Sequence, residues 1–229
     1  QNKDDLKMFL DQRLVSENKC KLLPGSGVDV ERFYAEKKEN DGVFRFLLIS
    51  RMLWSKGIKE FVEAARIIKQ KYKYVEFQLL GHLDMKTPTA ISKKQMDIWI
   101  KDGDIIYLGT SEDVRVEIAQ SDCIVLPSYY REGTPRSLLE GASMQRPIIT
   151  TDNYGCRDVV DDGVNGYICN TRNSSDLAED SYLLGVGDEM SFSVIGIKEL
   201  DTQIRILNDG KASIPLLGPV KLKGLTISD

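Results

Sequence analysis

Cys123-Ile124-Val125-Leu126-Pro127-Ser128 is an unbroken apolar run closed by a proline and a serine. Two tyrosines later comes Arg131-Glu132-Gly133-Thr134-Pro135-Arg136-Ser137-Leu138-Leu139-Glu140. A short run that is apolar at consecutive positions is buried on both faces, as strands of a parallel sheet are. Thr134 is a good N-cap residue and Pro135 suits a first helical position, so a helix is expected from here to about Met144. The unit is strand, loop, helix.

The same alternation extends in both directions. Upstream, Val43 to Ser50 is a strand, and Ile58, Phe61, Val62, Ala65 and Ile68 make a helical stripe. Val75 to Leu80 is the next strand, ending at Gly81. A helix carrying Ile91, Met96, Ile98 and Trp99 precedes a short strand at Ile105 to Leu108, and Ser111 caps a helix running through Ala119. Downstream, Pro147 to Thr151 and Gly166 to Cys169 are strands, separated by a short helix and turn between Gly155 and Gly166. An opening helix spans Asp4 to about Glu17, with Leu6, Phe9, Leu10 and Leu14 at helical spacing. Leu22-Leu23 reads as a strand entering the glycine-rich connection Gly25-Ser26-Gly27-Val28-Asp29. The fold class is therefore α/β, a Rossmann-like parallel sheet covered on both faces. Ligands of such sheets bind outside the carboxyl ends of the strands, here Ser50, Gly81, Gly109 and Ser128. After about residue 180 the pattern changes to short strands, with Asn208-Asp209-Gly210 as a hairpin turn between Ile204–Leu207 and Lys211–Ile214. This tail is a small β-rich segment.

The chain has 229 residues, 41% apolar and 29% charged, with a net charge of −4. That balance gives no support for nucleic-acid binding and shows no basic tract for tethering to a membrane. Cys20, Cys123, Cys156 and Cys169 lack metal-ligand spacing and read as free thiols of a reducing compartment. His82 is the only histidine, so histidine-assisted nucleophilic catalysis would have to use it, and no neighbouring residue supports that.

Gly133 opens access to the free N–H groups at the start of the central helix, which favour an anion. Glu132 lies in the loop before that helix and Glu140 more than a turn inside it. Eight positions turn roughly 80° around a helix, so a wholly helical segment would not align the two acids. Arg51 and Lys56, after the first long strand, supply a fork and a point charge for phosphates. A pyrophosphate flanked by two polyhydroxylated rings, as in a nucleotide sugar, matches this order of groups. Asp102-Gly103-Asp104 has the look of a metal-holding triplet, yet it precedes its strand and so falls away from the crevice; it reads as a turn.

Gly25-Ser26-Gly27-Val28-Asp29, Ser50-Arg51 with Lys56-Gly57, Pro127-Ser128, Glu132-Gly133-Thr134-Pro135 with Glu140, and Asp162-Gly163-Val164-Asn165-Gly166 together resemble the carboxyl-terminal, nucleotide-sugar-binding domain of group 1 retaining glycosyltransferases of the GT-B fold. The resemblance implies one half of a GT-B fold at residues 21–179, preceded at 1–20 by a remnant helix of the amino-terminal domain. It implies Glu132 as the catalytic-side contact to the donor sugar. Arg51 and Lys56 would lie on the diphosphate, the amides after Gly133, with Thr134 and Pro135, on sugar or phosphate oxygens, and Glu140 on the ribose. No metal or other cofactor is implied. The donor implied is a nucleotide sugar, with UDP as the nucleotide, and the acceptor a lipid-linked glycan of bacterial surface polysaccharide synthesis. The location implied is the cytoplasmic face of the inner membrane, with peripheral association through the missing domain. Asp158 stands where many members have Glu. Tyr182 to Glu189, Asp209 to Gly218 and Gly224-Leu225-Thr226 resemble the opening of periplasmic polysaccharide-export proteins, which implies that residues 180–229 are a truncated export-like segment and the whole a chimeric or truncated product of neighbouring genes in one polysaccharide locus. A non-catalytic export or assembly component is the alternative.

Overall fold

The computed structural model describes residues 3–23, 25–83, 87–180, 189–194, 197–205, 211–214 and 218–221. Residues 1–179 form one compact unit and 180–229 another.

The first unit is built on six strands: β1 (Phe44–Ile49), β2 (Val75–Leu80), β3 (Ile106–Gly109), β4 (Cys123–Leu126), β5 (Ile148–Thr151) and β6 (Gly166–Cys169). They pair in the order β3-β2-β1-β4-β5-β6, and every pairing is parallel. Helices α1 (Lys3–Asp11), α2 (Ile58–Lys71), α3 (Lys93–Lys101), α4 (Arg115–Gln120), α5 (Arg136–Ser143) and α6 (Ser174–Asp180) intervene. Side chains alternate across the sheet as the two-residue period requires. Phe46, Leu48, Phe77, Leu79, Cys123 and Val125 face a core that includes Phe61 and Ile68 of α2 and Trp99 of α3. Leu47, Ile124, Leu126 and Ile148 face a second core with Ile118 of α4 and Leu138 of α5. Stacking of Phe46 on Phe77 (centroids 4.7 Å apart) and the edge contact of Phe61 with Phe77 (5.1 Å) fix α2 against β1 and β2.

Strand order reverses between β1 and β4: the chain leaves β1 toward β2 on one side, while β4 leads to β5 on the other. The crevice above the carboxyl ends of these two strands is where such sheets accept ligands. Gly57, which precedes α2, makes the crevice narrow. Its φ is +75°, and a Cβ placed there would sit 2.0 Å from the carbonyl oxygen of Pro127. No amino acid but glycine satisfies both conditions at this position.

Four local expectations fail for identifiable reasons. The opening helix stops at Asp11, because Arg13 adopts φ 54°, and Leu14 is exposed. Leu22 and Leu23 are not a strand; Leu23 is 76% exposed and pairs with none of the described strands. Ser111 does not cap α4. Its Oγ accepts the Asp113 N–H at 3.1 Å, a turn closed upstream, and Val114 occupies the N-cap position. α3 begins only after Ser92, whose Oγ accepts the Gln95 N–H at 3.1 Å, and Ile98 on it is exposed.

In the second unit β7 (Glu189–Val194) pairs antiparallel with β8 (Ile197–Arg205), and β9 (Lys211–Ile214) with β10 (Gly218–Lys221). The strands expected to form a hairpin about Asn208-Asp209-Gly210 thus belong to separate two-stranded sheets. That turn itself lies outside the described residues.

Gly57→Ala should destabilise the first unit by more than about 2 kcal/mol, since left-handed strain and a backbone clash combine. Urea unfolding followed by circular dichroism measures it; an unchanged midpoint would refute the close approach of Gly57 to β4.

Candidate functional site

Residues 50–57 and 127–136 form the two lips of the crevice. After β1 the chain turns through Arg51 and a 3-10 turn at Trp54–Lys56. After β4, the N–H groups of Tyr129 and Tyr130 both donate to the carbonyl oxygen of Ser55, at 3.1 and 3.2 Å. That carbonyl therefore fastens one lip to the other. Lys56 follows Ser55, and its Nζ contacts Glu132 Oε1. The pair is sheltered, with side chains 16% and 14% exposed. Ser128, fully buried, places its Oγ 2.8 Å from the same Glu132 oxygen. One carboxylate oxygen thus meets an ammonium and a hydroxyl.

The next loop supports this one from behind. Asn153, buried after β5, donates through Nδ2 to the carbonyls of Ser128 (3.0 Å) and Tyr130 (2.6 Å). Thr151 Oγ1 donates to the Ser128 carbonyl as well. Gly155 has φ +74°, and a Cβ there would lie 1.9 Å from the Gly133 carbonyl oxygen. The loop after β5 therefore presses directly on Glu132 and Gly133, and only glycine allows it. Cys156 beside it is buried, and burial pushes its thiol up to about 12, which leaves it unreactive.

Thr134 does not cap α5. Pro135 takes the N-cap position with extended backbone (φ −66°, ψ 127°) and no side-chain bond. A residue before proline is itself biased to extended geometry, and the Thr134 side chain lies against Gly25. The first intrahelical bond runs from Leu139 N–H to Pro135 O at 3.3 Å. The amides of Arg136 and Ser137 are thereby left without an intrahelical acceptor.

Glu140 lies inside α5, only 8% exposed. Burial pushes its carboxyl above the ordinary range, and Arg136, whose Nη2 is 3.4 Å away, pulls the other way. Arg136 is itself 73% exposed, so its contribution is screened.

Of the residues expected in the site, Lys56 and Glu132 are brought into contact. Gly133, Thr134 and Pro135 line the approach to α5, and Glu140 lies inside it. Arg51 is exposed on the first lip and makes no ion pair among the described residues. His82 is exposed after β2, and its carbonyl accepts the Met52 N–H. Asp104 is buried and takes two bonds from Arg66, at 2.9 and 2.6 Å, at the amino end of β3. It is a structural acid. The bonds that Ser128, Thr151 and Asn153 make to this loop escaped the sequence, although a serine or threonine closing a buried strand is a signal that its hydroxyl must find a partner.

Residues 43–184 match the family of group 1 glycosyl transferases, and residues 176–229 match the polysaccharide biosynthesis/export protein family. The N,N'-diacetylbacillosaminyl-diphospho-undecaprenol alpha-1,3-N-acetylgalactosaminyltransferase of Campylobacter jejuni is 34% identical over 183 residues, covering 74% of this chain and 46% of that protein. Two solved structures share the fold. A glycosyltransferase from Rickettsia africae superposes with a TM-score of 0.66 at 20% identity, covering 77% of this chain and 50% of the other. Anabaena HepE in complex with UDP gives 0.65 at 19% identity, with the same coverage. The chain spans about half the length of the curated relatives it matches. Its sheet order, its crevice and the match over residues 43–184 agree, and the chain belongs to the group 1 glycosyl transferases, continued by a segment of the polysaccharide-export family.

Proposed function

We propose that this chain is the donor-binding half of a retaining glycosyltransferase that moves a hexose or N-acetylhexosamine from a UDP-sugar to a lipid-linked glycan in bacterial surface polysaccharide synthesis. The observation that carries the reading is the sheltered Lys56–Glu132 pair at the mouth of α5, with a second, buried acid at Glu140. A diphosphate in the crevice competes with Glu132 for Lys56, and Arg51 on the same lip adds a second cation. The amides at the start of α5 receive phosphate or sugar oxygens. Glu132, released from Lys56 but still beside Ser128, turns its carboxylate to the sugar hydroxyls. Glu140 accepts the ribose hydroxyls, which repays its desolvation. Fixed cations and a helix terminus are enough to stabilise the leaving diphosphate, so no metal is assigned. The UDP-bound structural neighbour and the lipid-linked substrate in the name of the Campylobacter relative support the donor and acceptor classes. The reaction belongs at the cytoplasmic face of the inner membrane, reached through an acceptor-binding domain outside these residues.

The match of residues 176–229 to export proteins favours a second reading, a non-catalytic export or assembly component. Calorimetric titration with UDP separates the two. The donor reading expects weak binding that Glu140→Ala reduces by about 1.5–3 kcal/mol, the cost of a hydrogen-bonded acid; an export component binds no UDP. These 229 residues by themselves should show no sugar transfer, because the proposed site supplies donor contacts alone, and measurable turnover would contradict that.

Glu140→Gln should raise the Tm at pH 7. Folding raises this carboxyl's pKa, so the folded chain holds the proton more tightly and loses stability as pH rises from the ordinary carboxylate value through the raised one. The gain from glutamine is therefore present at neutral pH and vanishes once pH falls below the ordinary value. Scanning calorimetry at several pH values reads it, and a Tm that drops at pH 7 would show that Glu140 serves the fold instead.

A further inference from the structure

No side chain of helix α1 is fully buried; Leu6, Met8 and Leu10 are half-buried, so apolar packing is not its sole hold. Two adjacent aspartates tie it to the loops after β4 and β5. Asp5 Oδ1 lies 2.8 Å from Arg131 Nε, and Asp4 Oδ2 lies 2.9 Å from Arg157 Nη2. Arg131 is the covalent neighbour of Glu132, and Arg157 follows the Asn153–Gly155 loop that backs it. Both guanidinium groups lie over the ring of Tyr154, at 4.5 and 5.2 Å from its centre, and Met8 Sδ lies 3.3 Å from Arg131 Nη1. One short helix thus grips both loops that set the Glu132 carboxylate. We infer that α1 is a positioning strap for the donor site, acting through Asp4 and Asp5 on Arg131 and Arg157. The inference rests on the donor-binding reading above. It assigns Asp4, Asp5, Arg131, Arg157 and Tyr154 to positioning and not to contact with the donor.

The test uses the full chain with two variants: Asp4→Asn/Asp5→Asn and Asp4→Glu/Asp5→Glu. UDP affinity, Tm and amide hydrogen exchange over residues 129–134 are measured for each. The asparagine pair should weaken UDP binding about fivefold, the scale of partly exposed ion pairs. It should also speed exchange over 129–134 while leaving the Tm unchanged. The glutamate pair should restore both, and ~1 M salt should narrow the gap between wild type and the asparagine pair. Unchanged affinity and exchange in the asparagine pair would overturn the inference while leaving the donor reading intact. A loss of binding that follows a fall in Tm and is not rescued by glutamate would reduce α1 to a structural helix. Failure of the wild type to bind UDP would overturn the donor reading and this inference with it.

Discussion

One carbonyl oxygen, that of Ser55, organises the functional side of this sheet. It accepts two successive amides, from Tyr129 and Tyr130, and Ser128 Oγ lies 3.2 Å from it. These bonds join the segment leaving β1 to the segment leaving β4, at the one place in the sheet where neighbouring strands are followed by chain running in opposite directions. Each bond contributes only about 0.5–1.5 kcal/mol net, but their geometric effect is larger. Lys56 is the next residue after Ser55, so fixing Ser55 fixes where an ammonium can reach. Glu132 is two residues past Tyr130, so the same bonds bring a carboxylate to meet it. Behind them Asn153, Thr151 and Gly155 close the remaining freedom of the loop.

Two buried acids among the described residues of the first unit, Asp104 and Glu140, show how fold and function part company. Asp104 is buried and fully served, with two bonds from one guanidinium and Lys69 bonding its own carbonyl and that of Gly103. Glu140 is equally buried, yet its cation is distant and exposed. An acid held in this state without a strong partner detracts from stability, and such groups gather where a ligand completes them.

Much of this architecture was legible in the chain. The bounds of β2 and β6 follow from apolar runs that stop at glycine or begin with it, and the α/β class follows from the alternation of periods. The strand and helix around Glu132 were legible because an apolar run, a proline and a second apolar period sit within twenty residues. Helix starts were less so. Thr134 and Ser111 both have capping side chains, but each found a nearer partner or a proline beside it. Pairing of Lys56 with Glu132, 76 positions apart, has no local signature at all, nor does the grip of α1 on Arg131. Those contacts depend on strand order, which periodicity does not encode. In the tail, the described parts of β8 and β9 pair with β7 and β10, and a turn sequence alone does not encode that choice of partner.

Backbone amide chemical shifts recorded while UDP is added test the central claim most directly. If the crevice between β1 and β4 holds a diphosphate, saturable shifts concentrate on Lys56, Gly133, Thr134, Arg136 and Ser137, with a further change at Glu140. Shifts confined to other surfaces, or none at millimolar nucleotide, would contradict the account.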